Sequence, residues 1–342
     1  MNTTLQDRIQ RRMEQHHFSG SIYVKSNDTD VLKLRHGYAN RSDLILNQWN
    51  TRYGIASGSK LFTAIAICQL VDIGEIQFNT TINECLGSYS FPHFDPGITV
   101  HQLLTHTSGI PDYFDEDLME DFEELWIKRP MYHIRHLEDF LPMFQNEQMK
   151  HSADSKFHYN NAGYIMLGLI VEKVSQMAFQ EYVAEHIFAK AGMNDSGYFE
   201  MDALPDRTAL GYIDTDQGYR TNIYSLPARG GSDGGAYVTV DDMMKLCERL
   251  LGGSLLSTKL TELILTPHVE VSESTAYGYG LWMTKNQDMG EIEKYVLMGY
   301  DPGINFRALI YPDQSLYAVV CSNQSDGAYE IISEIEKELT SK

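Results

Sequence analysis

Strand patterns sit at both ends of this 342-residue chain, and helical patterns fill its middle. Residues 19–26 and 31–38 read as two strands around the turn Ser26-Asn27-Asp28-Thr29-Asp30. The strand pattern returns only late, at 278–283, 295–298, 306–311 and 316–322, with turns at Pro302-Gly303 and Pro312-Asp313. Helices are predicted over 4–17, from Ser57 to about Ile73-Gly74, over 160–176, 240–251 and 327–340, and after the capping-box string Thr99-Val100-His101-Gln102. Strands at both ends with helices between them predict an α+β fold with one antiparallel sheet built from both ends. The expected division is a discontinuous sheet unit, 1–75 with 225–342, and a helical unit, 76–224. A cleft is expected where they meet.

The chemistry of that cleft is suggested by Ser57-Gly58-Ser59-Lys60, the only Ser-x-x-Lys of the chain. It opens the apolar run from Leu61 to Val71, which reads as a buried helix. A serine at the start of such a helix, with a lysine three residues on, puts hydroxyl and amine on one face. A buried amine can take the proton of an otherwise poor nucleophile, and free N–H groups at a helix start can hold an oxyanion. Read alone, Ser57 also fits an N-cap and Lys60 a solvated first-turn residue. Tyr159-Asn160-Asn161, before the 160–176 helix, offers a phenol as proton shuttle and an amide as orienting group. The same residues also fit a packed loop tyrosine and an asparagine N-cap.

Bulk properties narrow the partners. A formal charge of −20 argues against nucleic acid and anionic membrane surfaces. No stretch of 18 apolar residues is present, so no membrane segment is expected. Residues 1–18 show no basic region followed by an apolar core, so a cytoplasmic location is the expectation. Cys68, Cys85, Cys247 and Cys321 lie far apart in apolar contexts, which reads as free buried thiols. With no paired Cys/His spacing there is no motif for a metal, and no cofactor is implied.

Five strings in order resemble the serine beta-lactamase-related family, which holds class C beta-lactamases, D-alanyl-D-alanine carboxypeptidases of penicillin-binding type and related esterases. They are Tyr53 to Lys60, Ile98 to Ile110 with its Leu-Leu-Thr-His-Thr-Ser-Gly core, Phe157 to Tyr164, Gly234 to Tyr237, and Tyr277 to Trp282. The resemblance implies that Ser57 is the acylated nucleophile, Lys60 its proton acceptor and Tyr159 the relay to the leaving group. Asn161 would hold Lys60 and the substrate carbonyl, and the Ser57 N–H would form half of the oxyanion hole. His106-Thr107-Ser108-Gly109 is read as structural.

The third family element, Lys-Thr-Gly or His-x-Gly, has no plain counterpart. Met298-Gly299-Tyr300-Asp301-Pro302-Gly303 stands there, with Tyr300 taken at the Lys/His position and Gly303 as the second oxyanion donor. A neutral Tyr300 beside Asp301 removes the cation that would bind a substrate carboxylate. The expectation is therefore a serine hydrolase of DD-peptidase or esterase type, acting on a small acyl ester, peptide or beta-lactam, with weak beta-lactamase activity. No glutamate for deacylation is evident. An acyl transferase and a non-catalytic ligand-binding relative remain the alternatives.

Overall fold

The computed structural model describes residues 4–286 and 290–340; the outermost residues of the expected division, 1–3 and 341–342, lie outside these. The main sheet has eight strands: β1 Gly20–Ser26, β2 Thr29–His36, β3 Val269–Ser272, β4 Thr275–Tyr277, β5 Trp282–Lys285, β6 Ile292–Asp301, β7 Ile304–Tyr311 and β8 Leu316–Ser322. Their spatial order is β2-β1-β8-β7-β6-β5-β4-β3, with every neighbouring pair antiparallel. The first hairpin thus closes against the last strand, from Gly20↔Ser322 to Ser26↔Leu316.

Period-two alternation gives the sheet two apolar faces. Ile22, Val24, Leu309 and Val320 pack with Ile9 and Met13 of α1 (Leu5–Gln15) and with Ile331 and Ile335 of the last helix. Phe306, Ala308, Val319 and Cys321 face the opposite way, into the core that contains α2 (Lys60–Asp72) and α3 (Asn161–Ser175). Two further helices, α4 (Val240–Leu251) and α5 (Ala328–Thr340), cover opposite faces of the sheet. Lys60 to Leu70 of α2 and Asn161 to Val171 of α3 are buried without interruption. A helix apolar on every side belongs at the centre of a domain, and these two pack on each other there. Lys60 and Asn161 are each the first residue of their helix, so two helix N-termini meet at one place.

One strand assignment is corrected. Of the run 278–283 only Trp282 and Met283 are strand, in β5; residues 278–281 form the turn from β4, in which Gly278 N–H donates to Leu281 O at 3.0 Å. Gly280 has φ +76°, and a Cβ there would lie 2.8 Å from Lys60 O. The chain bends because its backbone must lie against the first turn of α2. Three short strand pairs that the patterns do not announce also form: Tyr53–Gly54 with Tyr237–Val238, Tyr38–Asn40 with Ile45–Leu46, and Tyr212–Thr215 with Gly218–Thr221. All four cysteines are free and buried. Among the described residues no helix is long and apolar enough to cross a membrane.

Candidate active site

Ser57 lies in a 3-10 turn, Ala56–Ser59, that feeds directly into α2. With three residues per turn, positions i and i+3 eclipse, so Lys60 stands over Ser57. Ala56 has φ +46° and is 1 % exposed. Left-handed backbone at alanine costs about 1–2 kcal/mol, and its neighbours hold it there. Ile55 N–H donates to Ala236 O (3.0 Å), Ser59 Oγ–H to Ala56 O (2.8 Å), and Ala236 N–H to Ser59 Oγ (3.0 Å). Ser59, between the two motif residues, thereby ties the Ser57 turn to the glycine-rich segment.

Lys60 is 1 % exposed and is not a solvated first-turn residue. Its Nζ lies 2.9 Å from Ser57 Oγ, 2.8 Å from Asn161 Oδ1 and 2.7 Å from Asp233 O. None of the three is a carboxylate oxygen, so the Lys60 amine is held by neutral partners alone. Asn161 is held in turn by Asp112, whose carboxylate accepts from the N–H groups of Asn161 (2.7 Å) and Ala162 (2.9 Å). Asn160 is the N-cap of α3, accepting from Gly163 N–H at 2.7 Å. Neighbouring asparagines thus divide the capping and orienting roles.

Tyr159 is hydrogen-bonded to the Ser57 side chain, and burial pushes its phenol well above its ordinary pKa. Its ring lies 4.9 Å from Lys60 Nζ, stacks on Trp282, and packs 4.5 Å from the His106 ring. His106 is buried and held well below the usual histidine range by burial and by the Lys60 charge. Its Nδ1 accepts from Asn160 N–H at 3.0 Å, and its Nε2 is 3.1 Å from the Tyr277 hydroxyl. The histidine therefore supports the Tyr159 segment from behind and lies outside the cavity.

The third wall is β6. A Cβ on Gly299 would collide with Ile55 O and lie 3.0 Å from Gly58 N, so only glycine lets the strand touch the Ser57 turn. Asp301 and Ile304 flank the two-residue Pro302-Gly303 turn and form a hydrogen-bonded pair; Tyr300↔Asn305 is then a non-hydrogen-bonded pair. The Tyr300 N–H consequently points away from β7. On that side β5 has already ended, at Trp282↔Val296. The Tyr300 amide thus faces the open edge beside Ser57.

This corrects the expectation for Gly303, whose N–H is spent on Ser325 Oγ at 2.9 Å in the turn. It also moves the family's third element. If Gly299 is its glycine, the Lys/His position falls on Leu297, which is buried, and not on Tyr300. Either way no cation stands there. Arg307 pairs with Met298 on the other face of the strand and stacks on Tyr329, 5.0 Å from the ring centre. It does not lie beside Asp301.

A cavity of about 720 Å³ joins these parts, lined by Ser57, Tyr159, Asn161, Asp233 and Asp301. Its electrostatics are dominated by carboxyl groups that the motifs do not reveal. Burial raises Asp112 to about 7, against the pull of its helix-capping hydrogen bonds. Burial and the neighbouring Asp233 raise Asp301 to about 8. Burial likewise raises Asp233, whose carboxylate accepts from the Tyr113 hydroxyl, and Glu116. Asp233 directly precedes the Gly234 to Tyr237 string and Asp112 follows the Ile98 to Ile110 string by two residues, so both sit next to recognisable strings without belonging to them.

A stability prediction follows. A carboxyl raised in the folded state holds its proton where the unfolded chain, at about pH 4, has lost it. The stability this contributes is full below pH 4 and disappears as pH rises through 7 to 8. Thermal melts should show Tm falling from pH 5.5 to pH 9, with a smaller fall in Asp301→Asn. An identical fall in the variant would remove Asp301 from this account.

Residues 5–336 match the family described as Beta-lactamase. The chain belongs to the beta-lactamase family. Members of this family are serine hydrolases, among them amidases, esterases and penicillin-binding proteins. The chain is similar to the crystal structure of a penicillin binding protein from Bacillus halodurans, with 51% identity and a TM-score of 0.92 over 97% of this chain and 100% of that one. It is 27% identical over 321 residues to the putative penicillin-binding protein PbpX of Bacillus subtilis (strain 168), covering 91% of this chain and 72% of that protein. The D-amino acid amidase of Ochrobactrum anthropi SV3 shares the fold at 19% identity, with a TM-score of 0.80 over 97% of this chain and 98% of that one. The antiparallel sheet with its flanking helices is thus the fold of penicillin-binding proteins and beta-lactamases.

Proposed function

We propose that this protein is a serine acyl hydrolase that works through an acyl-enzyme on Ser57. The observation that carries the reading is the Lys60 amine, buried and hydrogen-bonded to both Ser57 Oγ and Asn161 Oδ1. The site lies in a cleft between a sheet unit, 1–75 with 225–342, and a helical unit, 76–224. A substrate carbonyl oxygen sits between the Ser57 and Tyr300 N–H groups, near the N-termini of α2 and α3, whose partial positive charge favours an oxyanion.

Lys60 takes the Ser57 proton as Oγ bonds to the carbonyl carbon. Tyr159 passes a proton to the leaving nitrogen or oxygen as its bond to that carbon breaks. Water then repeats the sequence and frees Ser57. Substrates are esters or amides bound without a carboxylate clamp. Beta-lactams, which carry a carboxylate, acylate Ser57 slowly and turn over weakly.

A fluorophosphonate probe tests the nucleophile. Wild type should label at Ser57 and Ser57→Ala should not. The wild type should also hydrolyse p-nitrophenyl esters faster than a chromogenic cephalosporin. Equal labelling of wild type and variant would end the nucleophile assignment, and labelling of neither would favour a ligand-binding relative.

A further inference from the structure

We infer that Asp301, with Asp233 and Glu116 around the same cavity, selects acyl groups that carry a protonated amine on the carbon next to the scissile carbonyl. This rests on the acyl-hydrolase reading above. Such groups include amino-acid amides and esters and the N-terminal residue of a peptide.

The placement comes from β6. Side chains alternate along a strand, so Asp301 projects on the same face as Gly299, the face that touches the nucleophile turn. It directly follows Tyr300, whose amide faces the oxyanion position. Adjacent Cα atoms are about 3.8 Å apart. An amine on the carbon next to a carbonyl held at Tyr300 N–H therefore comes within ion-pair reach of the Asp301 carboxylate.

That carboxylate is unclaimed. Among the described residues the Asp301 side chain makes no hydrogen bond and no ion pair, and the Asp233 side chain accepts from the Tyr113 hydroxyl and from the backbone N–H groups of Asp233 and Gly234. Of the charged residues lining the cavity, six are carboxylates and one is Arg307. Glu123 is already paired with Arg220, and Arg307 is engaged by the Met298 sulfur at 3.4 Å and by the Tyr329 ring at 5.0 Å. Lys60 is the basic side chain at the centre, and its three contacts serve the catalytic arrangement. An ammonium group supplies what is missing, a positive charge with three donors. The elevated pKa of Asp301 agrees with this: the carboxyl is held partly protonated by burial and by Asp233, and an arriving cation would favour its ionised form.

The test is a comparison of kcat/KM at pH 7 for D- and L-alanine p-nitroanilides with free and N-acetylated amines, together with a dialanine p-nitroanilide. Wild type should favour the free amine over its acetylated counterpart by about ten- to a hundredfold in at least one enantiomer. Asp301→Asn should narrow that ratio tenfold or more, mainly through KM. The dialanine arm separates release of a single residue from cleavage after a dipeptide.

A measurement that needs no variant uses alanine amide and N-acetylalanine amide as competing inhibitors of p-nitrophenyl ester hydrolysis. The free amine should inhibit at lower concentration, and added salt should narrow the difference. If the acetylated compounds serve equally well, or if Asp301→Asn leaves the ratio unchanged, the inference is overturned. Fluorophosphonate labelling separates the two failures. A labelled Ser57 with no preference for the amine sinks this inference alone, whereas an unlabelled Ser57 sinks the hydrolase reading and takes this one with it.

Discussion

Lys60→Met should slow acylation of Ser57 by about 10²- to 10⁴-fold, the range usual for loss of a positioned general base. Methionine keeps the length and fills the buried space while removing the amine that Ser57 Oγ, Asn161 Oδ1 and Asp233 O share. A second effect should accompany the first. The Lys60 charge lowers the pKa of Asp112, Glu116, Asp233 and Asp301. Without it those carboxyls ionise at higher pH still, so the variant should lose more stability at pH 8 than at pH 5.5. Stopped-flow labelling by the fluorophosphonate and melts at the two pH values read both effects. Labelling within a few-fold of wild type would move the base elsewhere.

Gly299→Ala should damage rate and stability together. The new Cβ meets backbone atoms of the Ser57 turn, Ile55 O and Gly58 N, which no rotamer change can clear. Forcing atoms into a packed site costs about 1–3 kcal/mol. Pushing β6 off the nucleophile turn also displaces the Tyr300 amide, and a shift of about 1 Å at a reacting centre can cost on the order of 10²-fold in rate. Gly74→Ala is the control. Gly74 has φ +80° but nothing within 4 Å of its Cβ position, so its cost is backbone strain of about 1–2 kcal/mol with the rate preserved. Urea unfolding and ester hydrolysis on both variants separate the two cases. A Gly299→Ala enzyme with wild-type kcat/KM would remove Tyr300 from the oxyanion site.

Much of this arrangement is legible in the chain. The Ser57-x-x-Lys60 spacing, the apolar run behind it and the Tyr159-x-Asn161 string lie within short segments, where local geometry determines which groups meet. The late strands 306–311 and 316–322 are legible because alternation survives in them. The run 278–283 is misread because its glycines allow a bend that only α2, from far earlier in the chain, demands. The Tyr300 amide cannot be read at all. Which way a backbone N–H points depends on the pairing of Tyr300 with Asn305 and on where β5 stops. The carboxyl groups around Lys60 come from three separate segments, near 112–116, 233 and 301, and no single string brings them together.

The closure of β1 against β8 has a consequence for how the molecule comes into being. Its first strand waits for a partner that is synthesised some three hundred residues later, and the nucleophile turn waits for Gly299 on β6. Such long-range pairings make a fold slow to assemble. A chain still growing on the ribosome holds Ser57 and Lys60 without the strand that carries the Tyr300 amide. The proposed acyl chemistry therefore has to wait until β6 has been made and has docked.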